Sequence, residues 1–86
     1  MDLELWNQFK TALNLDKKED NLEKIVYDLK EKGWTQKQIY DVFSEAFGHY
    51  RDNGTEEQYD GLTNTMDRIV GWGSEGSWFF DTYLDT

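Results

Sequence analysis

This 86-residue sequence predicts an all-α fold: a compact bundle of four helices, at about residues 2–14, 17–32, 36–52 and 56–70, with a short C-terminal fifth helix or arm. Three observations carry that expectation. Proline is absent, so no residue lacks the N–H that helical hydrogen bonding needs. Apolar residues recur at three- and four-residue steps through most of the chain. The gaps between these stripes are short and hold Gly, Asn, Asp and Thr, which end or cap helices, and short connections favour antiparallel neighbours.

Leu3, Trp6, Phe9 and Leu13 form the first stripe, with Leu5 and Ala12 beside it. Leu22, Ile25, Val26 and Leu29 form the second, and either Asp16 with Glu19 or Asp20 with Glu23 is placed to cap its start. Lys30 and Lys32 make a basic last turn closed by Gly33, a residue that tolerates positive φ. Thr35 and Gln38 then fit a capping box, and Trp34 and Ile39 a hydrophobic staple around it. Val42, Phe43, Ala46, Phe47 and Tyr50 continue that third helix until Asp52-Asn53-Gly54. Thr55 and Gln58 repeat the box, Tyr59, Leu62, Met66, Ile69 and Val70 supply the fourth stripe, and Gly71 closes it. Beyond Gly71, glycines crowd the chain. Ser77 caps a short helix through Trp78, Phe79, Phe80, Tyr83 and Leu84, or the same residues make an extended arm.

A chain of this length is expected to form one domain, residues 1–86, burying roughly 60–65% of its unfolded surface. The absence of cysteine excludes disulfides and thiolate-bound zinc, so large aromatic side chains, 16% of the residues, must supply the burial that staples would otherwise replace. The start Met-Asp-Leu-Glu-Leu-Trp lacks the basic opening and apolar stretch of a signal peptide, and no apolar run nears the ~20 residues that span a bilayer. A cytoplasmic address is expected. The net charge of −9 opposes direct binding to nucleic acid or to an anionic membrane, and its natural complement is a basic protein partner.

The chemistry-bearing residues are sparse: one histidine, no cysteine and three serines. His49 lies one turn after Glu45, which suits a rim histidine or a surface ion pair. A di-iron bundle needs Glu-x-x-His on two helices, and this chain has one Glu-x-x-x-His. The carboxylate pairs Asp41/Glu45 and Glu56/Asp60 lie one turn apart, and Glu56 and Glu57 are already favoured by the dipole at a helix start. Asp52-Asn53-Gly54-Thr55-Glu56-Glu57 lacks the spacing of a calcium loop. Residues 32–39 echo the entry to a helix-turn-helix, but no basic recognition helix follows. No catalytic residue, cofactor or metal is therefore expected.

Charge is uneven along the chain. Residues 55–86 hold seven acids and one base, whereas the rest hold eleven acids and eight bases. Trp6, Phe9, Trp34, Phe43 and Phe47 fall on or beside the helical stripes and read as core. Trp72, Trp78, Phe79, Phe80 and Tyr83 crowd into twelve residues, too dense for one helix to bury on a single face. Either this segment closes the core, or it forms an aromatic surface ringed by acids. On the second reading the partner-binding residues are Trp72, Glu75, Trp78, Phe79, Asp81 and Tyr83. The expected function is non-catalytic protein binding: a stoichiometric inhibitor or immunity-type protein for a basic, nuclease-like partner, or a mimic of nucleic-acid charge. The alternative is a self-associating structural or regulatory protein, with the aromatic segment as a homodimer seam. In size, acidity and helical character the chain is similar to colicin-type immunity proteins, without a shared motif.

Overall fold

Leu3–Asn14 (α1), Lys18–Glu31 (α2), Gln36–Asn53 (α3) and Glu56–Val70 (α4) are the helices of the computed structural model, which describes residues 1–71, 79 and 80. Each lies within one residue of its expected bounds at either end, and the described residues contain no strand. The expected fifth helix or arm lies outside the described residues, apart from Phe79 and Phe80. Local chemistry sets most of the boundaries. Asp2 caps α1 by accepting the Leu5 N–H at 2.8 Å. Both capping boxes form, Thr35 with Gln38 and Thr55 with Gln58, each hydroxyl accepting from the backbone N–H and each amide oxygen accepting in return. Gly33, at φ +91°, closes α2, with its own N–H bonded to the Lys30 carbonyl and the Trp34 N–H bonded to Leu29. Gly71, at φ +97°, closes α4.

The start of α2 departs from expectation. Neither Asp16 nor Asp20 caps it; Lys17 occupies the N-cap in the left-handed conformation, φ 59°, and makes no capping bond. The turn is held instead from inside the helix, where the Asn21 amide donates to the carbonyls of Asp16 (3.0 Å) and Ala12 (3.4 Å). An amide donor thus does the work assigned to an acid acceptor.

One core joins all four helices. Phe9 of α1 and Phe43 of α3, both fully buried, meet edge to face with centroids 4.8 Å apart. Leu13, Leu22, Val26, Ile39, Leu62 and Ile69 complete its fully buried aliphatic centre. Trp6, Trp34 and Phe47 pack against this cluster as partly buried flanks. The inward face of α1 is rotated from the expected stripe: Leu5, Phe9, Ala12 and Leu13 are buried, whereas Leu3 is 75% exposed. In α4, Met66 sits at the core's edge, and Gly61 and Thr65 turn inward. A Cβ on Gly61 would lie 3.6 Å from Leu22 and Lys18, so the small residue marks where α2 and α4 run close together. The Thr65 hydroxyl donates to the Gly61 carbonyl at 2.8 Å, which satisfies the one buried polar side chain of the described core. The radius of gyration, 11.9 Å, is near the ~11–12 Å of a compact domain of this size.

Helix ends are closed by neighbours. The Gln58 amide of α4 donates to the Leu13 carbonyl at the end of α1 (3.3 Å), and Gln36 of α3 donates to Ile69 near the end of α4 (2.8 Å). The first contact sets the start of α4 against the end of α1. Since the α1–α2 turn begins at the same place, α2 and α4 start side by side.

The α3–α4 turn depends on Gly54 for space rather than for conformation. Its φ is −109°, accessible to any residue, but a Cβ there would lie 2.6 Å from Gln58 Oε1 and 2.7 Å from Tyr50 Cδ1. Gly48, inside α3, has no atom within 4 Å of a Cβ position. Denaturant unfolding should therefore separate the two glycines: Gly54→Ala costs about 1–3 kcal/mol through overpacking, and Gly48→Ala adds about 0.5–1 kcal/mol through helix propensity.

Candidate functional site

The paired starts of α2 and α4 enclose an open cleft of about 550 Å³. Asp16 in the α1–α2 turn, Glu19 and Asp20 in the first turn of α2, and Glu57 and Asp60 in the first two turns of α4 line it. Two ammonium groups, Lys17 and Lys18, answer these five carboxylates, so the lining carries a net −3. Lys18 is engaged on both sides, 3.8 Å from the Glu57 carboxylate and 3.4 Å from the Leu15 carbonyl. Asp16, Glu19, Asp20, Glu57 and Asp60 are all exposed.

Glu19, Asp20 and Glu57 have a local reason for their place, because the positive end of a helix dipole favours carboxylates in the first turn. Their convergence has a tertiary cause. Gln58 and Asn21 both bond carbonyls in the last turn of α1, and those bonds bring two acidic helix starts together. The carboxylates spread around the mouth and do not gather on one point; among the described residues no group of three or more His, Cys, Asp or Glu side chains is arranged to hold a metal ion. What such a surface does chemically is present negative potential to an approaching cation.

The aromatic segment enters the described structure at two residues. Phe79 is 3% exposed, with its ring edge to face with Tyr27 at 5.5 Å and the Arg68 guanidinium 4.2 Å from its centroid. Its N–H donates to the Arg68 carbonyl in the last turn of α4 (3.2 Å), and its own carbonyl accepts from the Lys30 ammonium. Arg68 also pairs with Glu23 at 3.1 Å. Phe79 therefore closes the core between α2 and α4, and an exposed anchoring role for it is corrected by this burial. Phe80 is partly buried with the Lys30 ammonium 4.6 Å from its ring. Two cations, Lys30 and Arg68, thus lie over aromatic faces of this segment, long-range pairings that helical periodicity does not report. Trp72, Glu75, Trp78, Asp81 and Tyr83 lie outside the described residues.

The other titratable candidates each have a neighbour of their own. Glu45 lies 3.1 Å from the amino group of Met1, and the exposed His49 ring packs edge-on to Trp6 and Tyr50. Asp41 pairs with Lys37 at 3.2 Å. Burial pushes the Tyr50 phenol up, and a hydrogen bond from Lys32 to Asp28 raises the lysine; neither group lines the cleft. No described helix is long and apolar enough to cross a membrane.

No protein-family model, curated protein or solved structure matches the chain.

Burial of Phe79 has a measurable consequence. Phe79→Ala should cost about 3–5 kcal/mol in chemical denaturation, the range of a large aromatic removed from a core, and Phe80→Ala distinctly less; equal, small losses would show that the segment does not dock.

Proposed function

We propose that the chain is a small non-catalytic binding module that recognises a basic protein through its acidic end. The observation that carries this reading is the convergence of five exposed carboxylates, from two helix starts, on one cleft with a net charge of −3. The whole chain, at −9, adds a long-range field of the same sign. Lysine and arginine side chains of a partner fit such a surface, arginine best because its planar fork takes a carboxylate through two hydrogen bonds. The role is that of a stoichiometric inhibitor or immunity-type protein for a nuclease-like partner, or of a nucleic-acid charge mimic acting in the cytoplasm. Trp72, Glu75, Trp78, Asp81 and Tyr83 belong to this proposal as further partner-binding residues.

Electrostatic steering makes the prediction specific. With a basic protein captured from the source cell or encoded beside this gene, association should be fast and should slow as salt is added. The triple variant Asp16→Asn/Glu19→Gln/Asp20→Asn should lower the association rate by about tenfold at low salt while leaving the helical circular-dichroism signal intact. Capture of neutral or acidic proteins alone, or a rate indifferent to both salt and the triple variant, would sink the proposal.

A further inference from the structure

A different face of the bundle is almost uncharged. Leu3, Asn7, Thr11 and Leu15 follow one another at four-residue steps along the outer side of α1 and its C-cap, and all four are exposed. Leu3 and Leu15, at the two ends of this row, are 75% and 54% exposed. Open grooves flank the row on both sides. One, of about 640 Å³, runs between α1 and α2 and is floored by Ala12 and Ile25; the other, of about 620 Å³, lies toward Lys10 and Asn14. Side chains four residues apart are neighbours on a helix surface and form a continuous row that a second helix can lie against.

Two features single out the occupant. The first is order. Read in either direction the ridge is leucine, amide or hydroxyl, amide or hydroxyl, leucine, so a two-fold axis at its middle sets Leu3 against Leu15 of the second copy and Asn7 against Thr11. Closed, isologous pairs need that self-complementarity. The second is charge. The two grooves together hold one acid, Glu4, and two bases, Lys10 and Lys24, on a chain whose net charge is −9. A second copy meets the least repulsion there, and a strongly basic partner gains nothing.

We propose that two copies of this chain associate through an antiparallel α1·α1 contact along the Leu3–Asn7–Thr11–Leu15 ridge. The contact is short, about 18 Å of helix at 1.5 Å per residue, so the dimer is weak, with a dissociation constant on the order of 100 μM. Added salt strengthens it, because screening relieves the repulsion between two acidic chains. Salt acts on the basic-partner complex in the opposite sense.

Sedimentation equilibrium of the full chain up to about 1 mM, at low salt and at about 0.5 M NaCl, tests this directly. The wild type should show a monomer–dimer equilibrium that shifts toward dimer with salt. Asn7→Glu/Thr11→Glu sets acid against acid twice and should weaken the dimer about tenfold. Asn7→Lys/Thr11→Glu sets lysine against glutamate twice and should keep or tighten it. Both variants change exposed residues, and circular dichroism checks that each is folded. A wild type that stays monomeric throughout, a dimer unmoved by the double glutamate, or equal loss in both variants would each overturn the proposal.

Discussion

The acidic end of the molecule depends on the side chain of Gln58. Its Oε1 accepts the Thr55 N–H at 2.9 Å and so completes the capping box that starts α4, while its Nε2 donates to the Leu13 carbonyl at 3.3 Å and so closes α1. A glutamate satisfies the box equally well but has no N–H to give. The choice of amide over acid is thus what ties a local cap to a tertiary contact. Gly54 makes room for it, since the same Oε1 would lie 2.6 Å from any Cβ at that position.

From that joint the distribution of charge follows. The end of α1, the start of α2 and the start of α4 meet at one place, and two of those three carry the acids that helix dipoles favour. Each helix thereby gains locally, yet the bundle gathers like charges around a single cleft. The α1 ridge points elsewhere and carries almost no net charge. One small fold thus has two electrostatically distinct faces, which suits two kinds of contact with opposite responses to salt.

Features set by neighbours in sequence were legible before the structure. The four helix spans, both capping boxes, and the closing glycines Gly33 and Gly71 rest on interactions reaching no further than about one turn. Features set by packing were not. Leu3 and Leu5 are equally apolar, and only the packed bundle shows that Leu5 faces inward with Phe9 while Leu3 faces out. The turn before α2 defeated the capping rule because Lys17 adopts a left-handed conformation and Asn21 bonds the turn's carbonyls. Gly61 occupies an inward position where close helix approach, rather than hydrophobicity, selects the residue, and Thr65 one where a bond to the Gly61 carbonyl lets a hydroxyl be buried. The cleft itself was invisible for a related reason. Charge counting along the chain placed the acidity after residue 55, whereas the surface draws on Asp16, Glu19 and Asp20 as well, and these join Glu57 and Asp60 through the packing of α2 on α4 and the bonds of both helix starts to the end of α1.

The tie that Gln58 makes between α4 and α1 is tested most directly by the stability of Gln58→Glu beside Gln38→Glu, each by denaturant unfolding in about 1 M salt, where screening lengths fall to ~3 Å and added surface charge matters little. Both substitutions preserve a capping-box acceptor, but only the first removes a donor to another helix. Gln58→Glu should lose about 1 kcal/mol more than Gln38→Glu, the net worth of a hydrogen bond with its carbonyl left unmet. Equal stabilities would contradict the tie, because Gln58 would then be a cap and nothing more.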